Sequence, residues 1–148
     1  QSPWNNIYKI LKMSIYEMLI FTRKGDCIFH LDLTKTLNFE DASKINGRRK
    51  LIFGLLLSLK SYVKMLSADE FKCYSTELYK LHFYELLTGI KFVLISSPKI
   101  AGDLTQMLKN IYIYQYIPFL SKNIAYKLGT QIKCKHFRDN IEEELKQY

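Results

Sequence analysis

The stretch Tyr79–Leu94, YKLHFYELLTGIKFVL, decides how this chain is read. Lys80, His82 and Tyr84 alternate with Leu81 and Phe83, and Ile90, Phe92 and Leu94 resume a period of two after Leu86-Leu87-Thr88-Gly89. Successive side chains on a strand point to opposite faces, so this pattern predicts two strands joined by a short loop. Gly89 supplies the positive φ that such a loop needs near its end, which fixes the pairing register locally. A hairpin of this kind serves any mixed domain, so function has to be read elsewhere.

Working outward, Ser14–Phe21 reads as a first strand, Thr22–Asp26 as a turn around Gly25, and Cys27–Asp32 as a second strand. Leu33–Gly47 is polar and irregular, and Asn46-Gly47 reads as a breaker before a helix. From Arg48 to Leu66, the positions Leu51, Ile52, Leu55, Leu56, Leu59, Tyr62, Val63 and Leu66 recur at helical spacing, which predicts one broad buried face. Gly54 inside that helix costs roughly 1 kcal/mol relative to Ala, so its backbone is expected to pack closely on the sheet. Phe71–Thr76, Leu78–Glu85 and Ile90–Ser96 complete the strands. A second helix is predicted over about Ala101–Ile117, where Pro118 forbids simple continuation. After a connector over Phe119–Gly129, a last helix runs over about Thr130–Gln147. The continuous apolarity of Phe92-Val93-Leu94-Ile95 requires both faces of the sheet to be covered.

With 148 residues and 48% hydrophobic content, the chain suits one domain able to bury its own core. Cys27, Cys73 and Cys134 are odd in number and widely spaced, which argues against a disulfide framework or a zinc site. The first two are expected as strand packing. Cys134 is the more exposed thiol and the candidate for surface S-acylation. The apolar runs Leu51–Leu59 and Ile111–Leu120 are too short to span a bilayer, and the segment up to Phe21 reads as a strand rather than a signal peptide.

No phosphate-cradling glycine loop, zinc-hydrolase motif or nucleophile elbow occurs, so no cofactor, metal site or catalytic residue is predicted. His30, His82 and His136 are expected at the surface or at strand ends, and Asp26, Asp32, Glu85 and Glu142 as solvated charges. The net charge of +8 favours acidic partners, and an anionic membrane surface is among them. The lysines are dispersed and accompany no nucleic-acid motif, so no nucleic acid is expected. Aromatic residues are in surplus: eleven Tyr, nine Phe and one Trp, with Tyr112, Tyr114, Tyr116 and Phe119 crowded at the end of the second helix. Aromatics at a rim make efficient interface anchors, so this cluster is the candidate partner interface; ordinary ring packing is the competing account.

Four stretches resemble a known family in the same order: LIFTRKGDCIFH over Leu19–His30, KLIFGLLLSLKSYVKMLS over Lys50–Ser67, KLHFYELLTGIKFVL over Lys80–Leu94 and LKNIYIYQY over Leu108–Tyr116. Together they are similar to the longin-like small subunits of the transport protein particle (TRAPP) tethering complex, the sedlin family. The resemblance implies an α+β, longin-like (profilin-like, SNARE-like) fold. Its five-stranded antiparallel sheet has the order β-β-α-β-β-β-α-α, with one helix on one face and two on the other. It also implies a domain over residues 13–148, with residues 1–12 as an N-terminal extension.

Functionally, the resemblance implies a non-enzymatic building block that assembles with other TRAPP small subunits. The assembled complex, and not the single chain, would act as nucleotide exchange factor for a Rab/Ypt-type GTPase in endoplasmic reticulum to Golgi transport. The place implied is cytoplasmic, peripheral to those membranes. Lys122 and Asn123, which fit the family pattern, extend the candidate interface beyond Phe119. A SNARE regulatory domain or an adaptor small subunit of similar fold is the alternative.

Overall fold

The computed structural model describes Pro3 and residues 14–67 and 71–147. Apart from Pro3, the extension expected over residues 1–12 lies outside the described residues. The elements run β1 (Ile15–Phe21), β2 (Cys27–Asp32), α1 (Ala42–Leu66), β3 (Cys73–Ser75), β4 (Lys80–Glu85), β5 (Lys91–Ser96), α2 (Thr105–Ile111) and α3 (Lys135–Leu145). The strands form one antiparallel sheet in the order β2-β1-β5-β4-β3. This is the α+β architecture expected.

Alternation along the central strands divides the core into two layers. Met18, Ile20, Phe92 and Leu94 face α2 and α3, whereas Leu19, Phe21, Leu81, Phe83, Val93 and Ile95 face α1. Every residue of β5 is buried, as a strand covered on both sides must be. Two glycines tighten the hairpins at one end of the sheet. Gly25 has φ +102° and a Cβ there would lie 2.7 Å from the Phe53 ring; Gly89 has φ +92° and a Cβ would lie 2.8 Å from the Arg23 side chain. Both positions therefore exclude a side chain on conformation and on space.

Several expectations are corrected. Helix α1 begins at Ala42, capped by the Asp41 carboxylate on the Lys44 amide at 3.3 Å, and runs through Asn46-Gly47. An aspartate N-cap here outweighs the modest helix penalty of Asn and Gly within the next turns. Gly54 does not pack on the sheet: it is exposed, and a Cβ there would meet no atom within 4 Å. Leu51, Tyr62 and Leu66, expected in the buried face, are 76%, 61% and 68% exposed.

Pro118 does not stop the second helix. The chain continues from α2 as a π-helix over Tyr112–Ser121 with Pro118 inside it. The wider turn accommodates a residue that brings no N–H of its own. His30 and His82 are buried at 3% and 0% exposure, not at the surface.

Candidate partner-docking surface

The end of the second helix is only in part a surface. Phe92 lies at its centre, with ring contacts to Tyr84, Tyr112 and Tyr116 at centroid distances of 6.3, 6.1 and 5.5 Å. Tyr116 is buried, which corrects its expected role as a contact residue. Burial, and then the neighbouring Tyr126 and Tyr112, push its phenol up to about 12. Tyr112 and Phe119 are half-buried, Phe119 edge-on to the His136 ring at 4.8 Å. Tyr114, Lys122 and Asn123 are exposed and remain available. Asn123 lines a recess of about 680 Å³ together with Leu120, Tyr126 and the half-buried Cys134.

A second surface lies along α1, and sequence reasoning missed it. Leu51, Leu55, Tyr62, Met65 and Leu66 are spaced to share one flank of the helix, beside the face that Ile52 and Leu56 bury in the core. Met65 is 84% exposed. Gly54 and Ser58 lie on the same flank and keep its backbone open to close approach. At the N-terminal half of the helix, this flank borders a groove of about 770 Å³. Ile52, Leu81 and Ile95 contribute to its lining, with Leu51 and Leu78 exposed beside them and Glu17, Asp32, Arg48, Glu77 and Lys99 supplying the charges. The signal was present in the sequence: α1 carries apolar residues over more of its circumference than one sheet contact can bury.

The sheet edges differ correspondingly. The edge of β2 is closed by the C-terminal segment: the Ile132 amide donates to Ile28 O at 2.9 Å, Gln131 Nε2 to Cys27 O at 2.7 Å, and an Arg138 Nη to His30 O at 3.3 Å. At β3, Phe83 N–H donates to Lys72 O and Thr76 N–H to Tyr79 O, so residues 72, 74 and 76 turn toward β4. Alternation then turns the amides of Cys73 and Ser75 outward, and among the described residues they have no partner there.

Two polar clusters hold the helices on the sheet. Under α1, Arg48 Nε donates to Glu17 Oε1 at 3.0 Å and Arg48 Nη2 to Glu17 Oε2, while the His30 ring also meets Glu17. Burial pushes the Glu17 carboxyl up, but the hydrogen bonds from His30 and Arg48 outweigh it and hold the group below the ordinary carboxylate range. On the opposite face, the Leu104 amide at the start of α2 donates to His82 Nδ1 at 2.9 Å, and His82 Nε2 then donates to Ser96 Oγ at 2.8 Å. This His caps a helix end from a neighbouring strand, and burial, with Lys80 nearby, lowers it to about 4.

Among the described residues, no three His, Cys, Asp or Glu side chains gather to hold a metal, and no helix is long and apolar enough to cross a membrane. The geometry offers contact surfaces: an apolar helix flank, a groove, an open strand edge and a small aromatic rim.

These features make a small α+β domain with more contact surface than its own core uses, and its lineage is plain. A model of the Sybindin-like family matches residues 15–148, and the chain belongs to that family. It is 38% identical over 139 residues to trafficking protein particle complex subunit 1 of Dictyostelium discoideum, covering 90% of this chain and 95% of that protein. It is 38% identical over 125 residues to transport protein particle subunit bet5 of Schizosaccharomyces pombe, covering 77% and 80% of the two chains. The human trafficking protein particle complex subunit 1 is 28% identical over 138 residues, with 90% and 93% covered.

Proposed function

We propose that this chain is a non-catalytic core subunit of a TRAPP-type vesicle-tethering complex, and that it works by docking to neighbouring subunits. Similarity over nearly its whole length to proteins named as trafficking particle subunits supports the class. The observation that carries the docking role is the outward flank of α1, where large apolar side chains stand in water beside an open groove. Single exposed leucines are ordinary; a helix flank of them, adjoining a groove, marks an interaction site. The open edge of β3 adds backbone groups that a partner strand could satisfy. Tyr114, Lys122 and Asn123 form a second, smaller contact at the other side of the sheet.

In this reading, the assembled complex acts as exchange factor for a Rab/Ypt-type GTPase in transport between endoplasmic reticulum and Golgi. The chain is cytoplasmic and peripheral to those membranes, and dispersed lysines add contact with anionic lipid. Exchange requires groups that enter the GTPase nucleotide site, which in this reading the assembled complex supplies, so in isolation the chain leaves nucleotide release unchanged. Affinity purification of the tagged chain from its native cells, followed by mass spectrometry, tests the assignment. Recovery of other TRAPP subunits is the expected result, whereas recovery of adaptor large chains, or of no partner, contradicts it.

A further inference from the structure

Helix α1 carries Lys44, Arg48, Arg49, Lys50, Lys60 and Lys64 and no acidic residue. Arg48 is committed to Glu17, and Lys60 to Glu85 at 2.5 Å. Arg49 is different. Its Nε donates to His30 Nδ1 at 3.1 Å, and among the described residues its two Nη groups donate to nothing.

Because the His30 Nδ1 lone pair accepts from Arg49, the ring's proton stands on Nε2, where it donates to Glu17. Glu17 is in turn fixed by the two-point contact from Arg48. The order of support is Arg48, Glu17, His30, Arg49, and the two middle members are each 3% exposed. A buried carboxylate and imidazole, costly to bring out of water, thus end in one half-buried guanidinium whose direction is set before any partner arrives. Phe39 stands edge-on to the His30 ring at 5.2 Å and is itself 46% exposed, an apolar shoulder beside the fork. Arg48 is answered by Glu17, with Asp32 also near, while among the described residues Arg49 donates only to the His30 ring and carries its charge at the outer end of the chain of contacts.

We propose that Arg49 is a docking anchor for a partner protein, taking one Asp or Glu carboxylate of that partner end-on through its Nη1 and Nη2 groups. A planar fork matches a carboxylate in two parallel hydrogen bonds, and a fork already held by His30 loses little freedom on binding. A bilayer surface calls for several unpaired cations on one face. Here the neighbouring cations Arg48 and Lys60 are committed. Lys50 and Lys64 of α1 are exposed as well, but among the described residues their ammonium groups are held by no buried partner, so Arg49 is the one remaining cation here with a fixed direction, the arrangement that suits a single side chain. The inference rests on the docking reading above and assigns to it a second contact, where charge selects the partner.

The test uses the full chain, tagged and co-expressed with other TRAPP small subunits. Arg49→Glu is expected to lower subunit capture roughly tenfold or more, the scale of a lost desolvated charge pair, when compared at a temperature where both chains are folded. Arg49→Lys keeps the charge and makes the position reactive to a zero-length carbodiimide. Without the fork it is expected to capture less than the unaltered chain but more than Arg49→Glu, and to yield a cross-link from position 49 to an Asp or Glu of a co-purified subunit. Capture by Arg49→Glu within about twofold of the unaltered chain, or absence of that cross-link, overturns the proposal while leaving the docking reading intact. If Arg49→Glu does not fold, the cross-link in Arg49→Lys decides alone. Flotation with phosphatidylserine vesicles that depends on Arg49, with subunit capture unaffected, overturns it in favour of a membrane. Failure of the unaltered chain to capture any subunit overturns the docking reading and this inference with it.

Discussion

The strands contribute apolar side chains to both faces of the sheet, yet the two faces are closed differently. On one side α2, its π-helical continuation and α3 meet Met18, Ile20, Phe92 and Leu94 in a core that also buries Tyr116, Leu120, Phe137 and Ile141. On the other, α1 is the one helix over Leu19, Phe21, Leu81, Phe83, Val93 and Ile95, which it covers mainly through Ile52 and Leu56, with Phe71 stacked on Phe83 at 5.6 Å. One face is finished within the chain. The other buries what a single helix can and leaves Leu51, Tyr62, Met65 and Leu66 in water. Apolar area left exposed at this scale is free energy that a partner can still recover, so the asymmetry supports the α1 side as the proposed docking side.

The largest effect expected is on the finished face. Phe92→Ala removes a ring at 0% exposure that touches three tyrosines, and should cost about 3–5 kcal/mol in chemical denaturation. A loss under about 1 kcal/mol would mean that this face is packed no better than the other.

Next is the polar tie beneath α1. Glu17→Ala leaves His30 buried and Arg48 without their shared carboxylate, and breaking a buried pair by removing one partner costs about 3 kcal/mol or more. Arg48 is partly exposed and can turn to water, so the lower end is expected. A thermal melt of that variant near the unaltered chain would show that α1 is held by Ile52 and Leu56 alone.

Acid sharpens the comparison through His82, which ties α2 to β4. Its folded-state pKa of about 4 lies below the ordinary 6.5, so between those values the unfolded chain binds more protons than the folded one. Stability is therefore fully present above about pH 6.5 and falls as pH drops toward 4. Glu17, held below the ordinary carboxylate value of 4.5, adds a further loss only under that pH. Urea titrations at intervals from pH 7 to 4 should show the decline, and His82→Gln should flatten it in the upper part of the window. An unchanged slope in that variant would assign the acid loss elsewhere.

Gly54 gives the smallest effect and inverts the expectation from sequence. Since a Cβ there meets nothing within 4 Å, Gly54→Ala should stabilise the isolated chain by up to about 1 kcal/mol. A glycine that costs stability at an open position makes sense where a partner backbone comes close, so the same variant should weaken subunit capture. Stabilisation with undiminished capture would remove Gly54 from the interface.

Much of the fold was legible in sequence because it rests on local periodicity. The hairpin at Tyr79–Leu94, the turn at Gly25 and the two-sided burial of β5 each follow from patterns a few residues long, and the family resemblance orders them. What stayed hidden depends on distant contacts. The burial of His30 and His82 follows from acceptors and donors supplied by Arg49, Glu17, Ser96 and Leu104, none of which is a near neighbour in sequence. Helical spacing already sets Tyr114 apart from Tyr112 and Tyr116, and Tyr114 is the exposed one; how deeply the other face is buried at Tyr116 depends on Phe92 beneath it. Along α1, the breadth of the apolar arc was legible, but not which part the sheet covers, because that depends on how one helix lies across five strands.

The most direct test of the central claim is paired measurement of stability and subunit capture for a Leu51→Glu/Met65→Glu double variant. Both side chains stand in water, so the melting temperature of the isolated chain should hold while capture of partner subunits is lost. Capture that survives both charges would contradict the assignment of the α1 flank as the docking side.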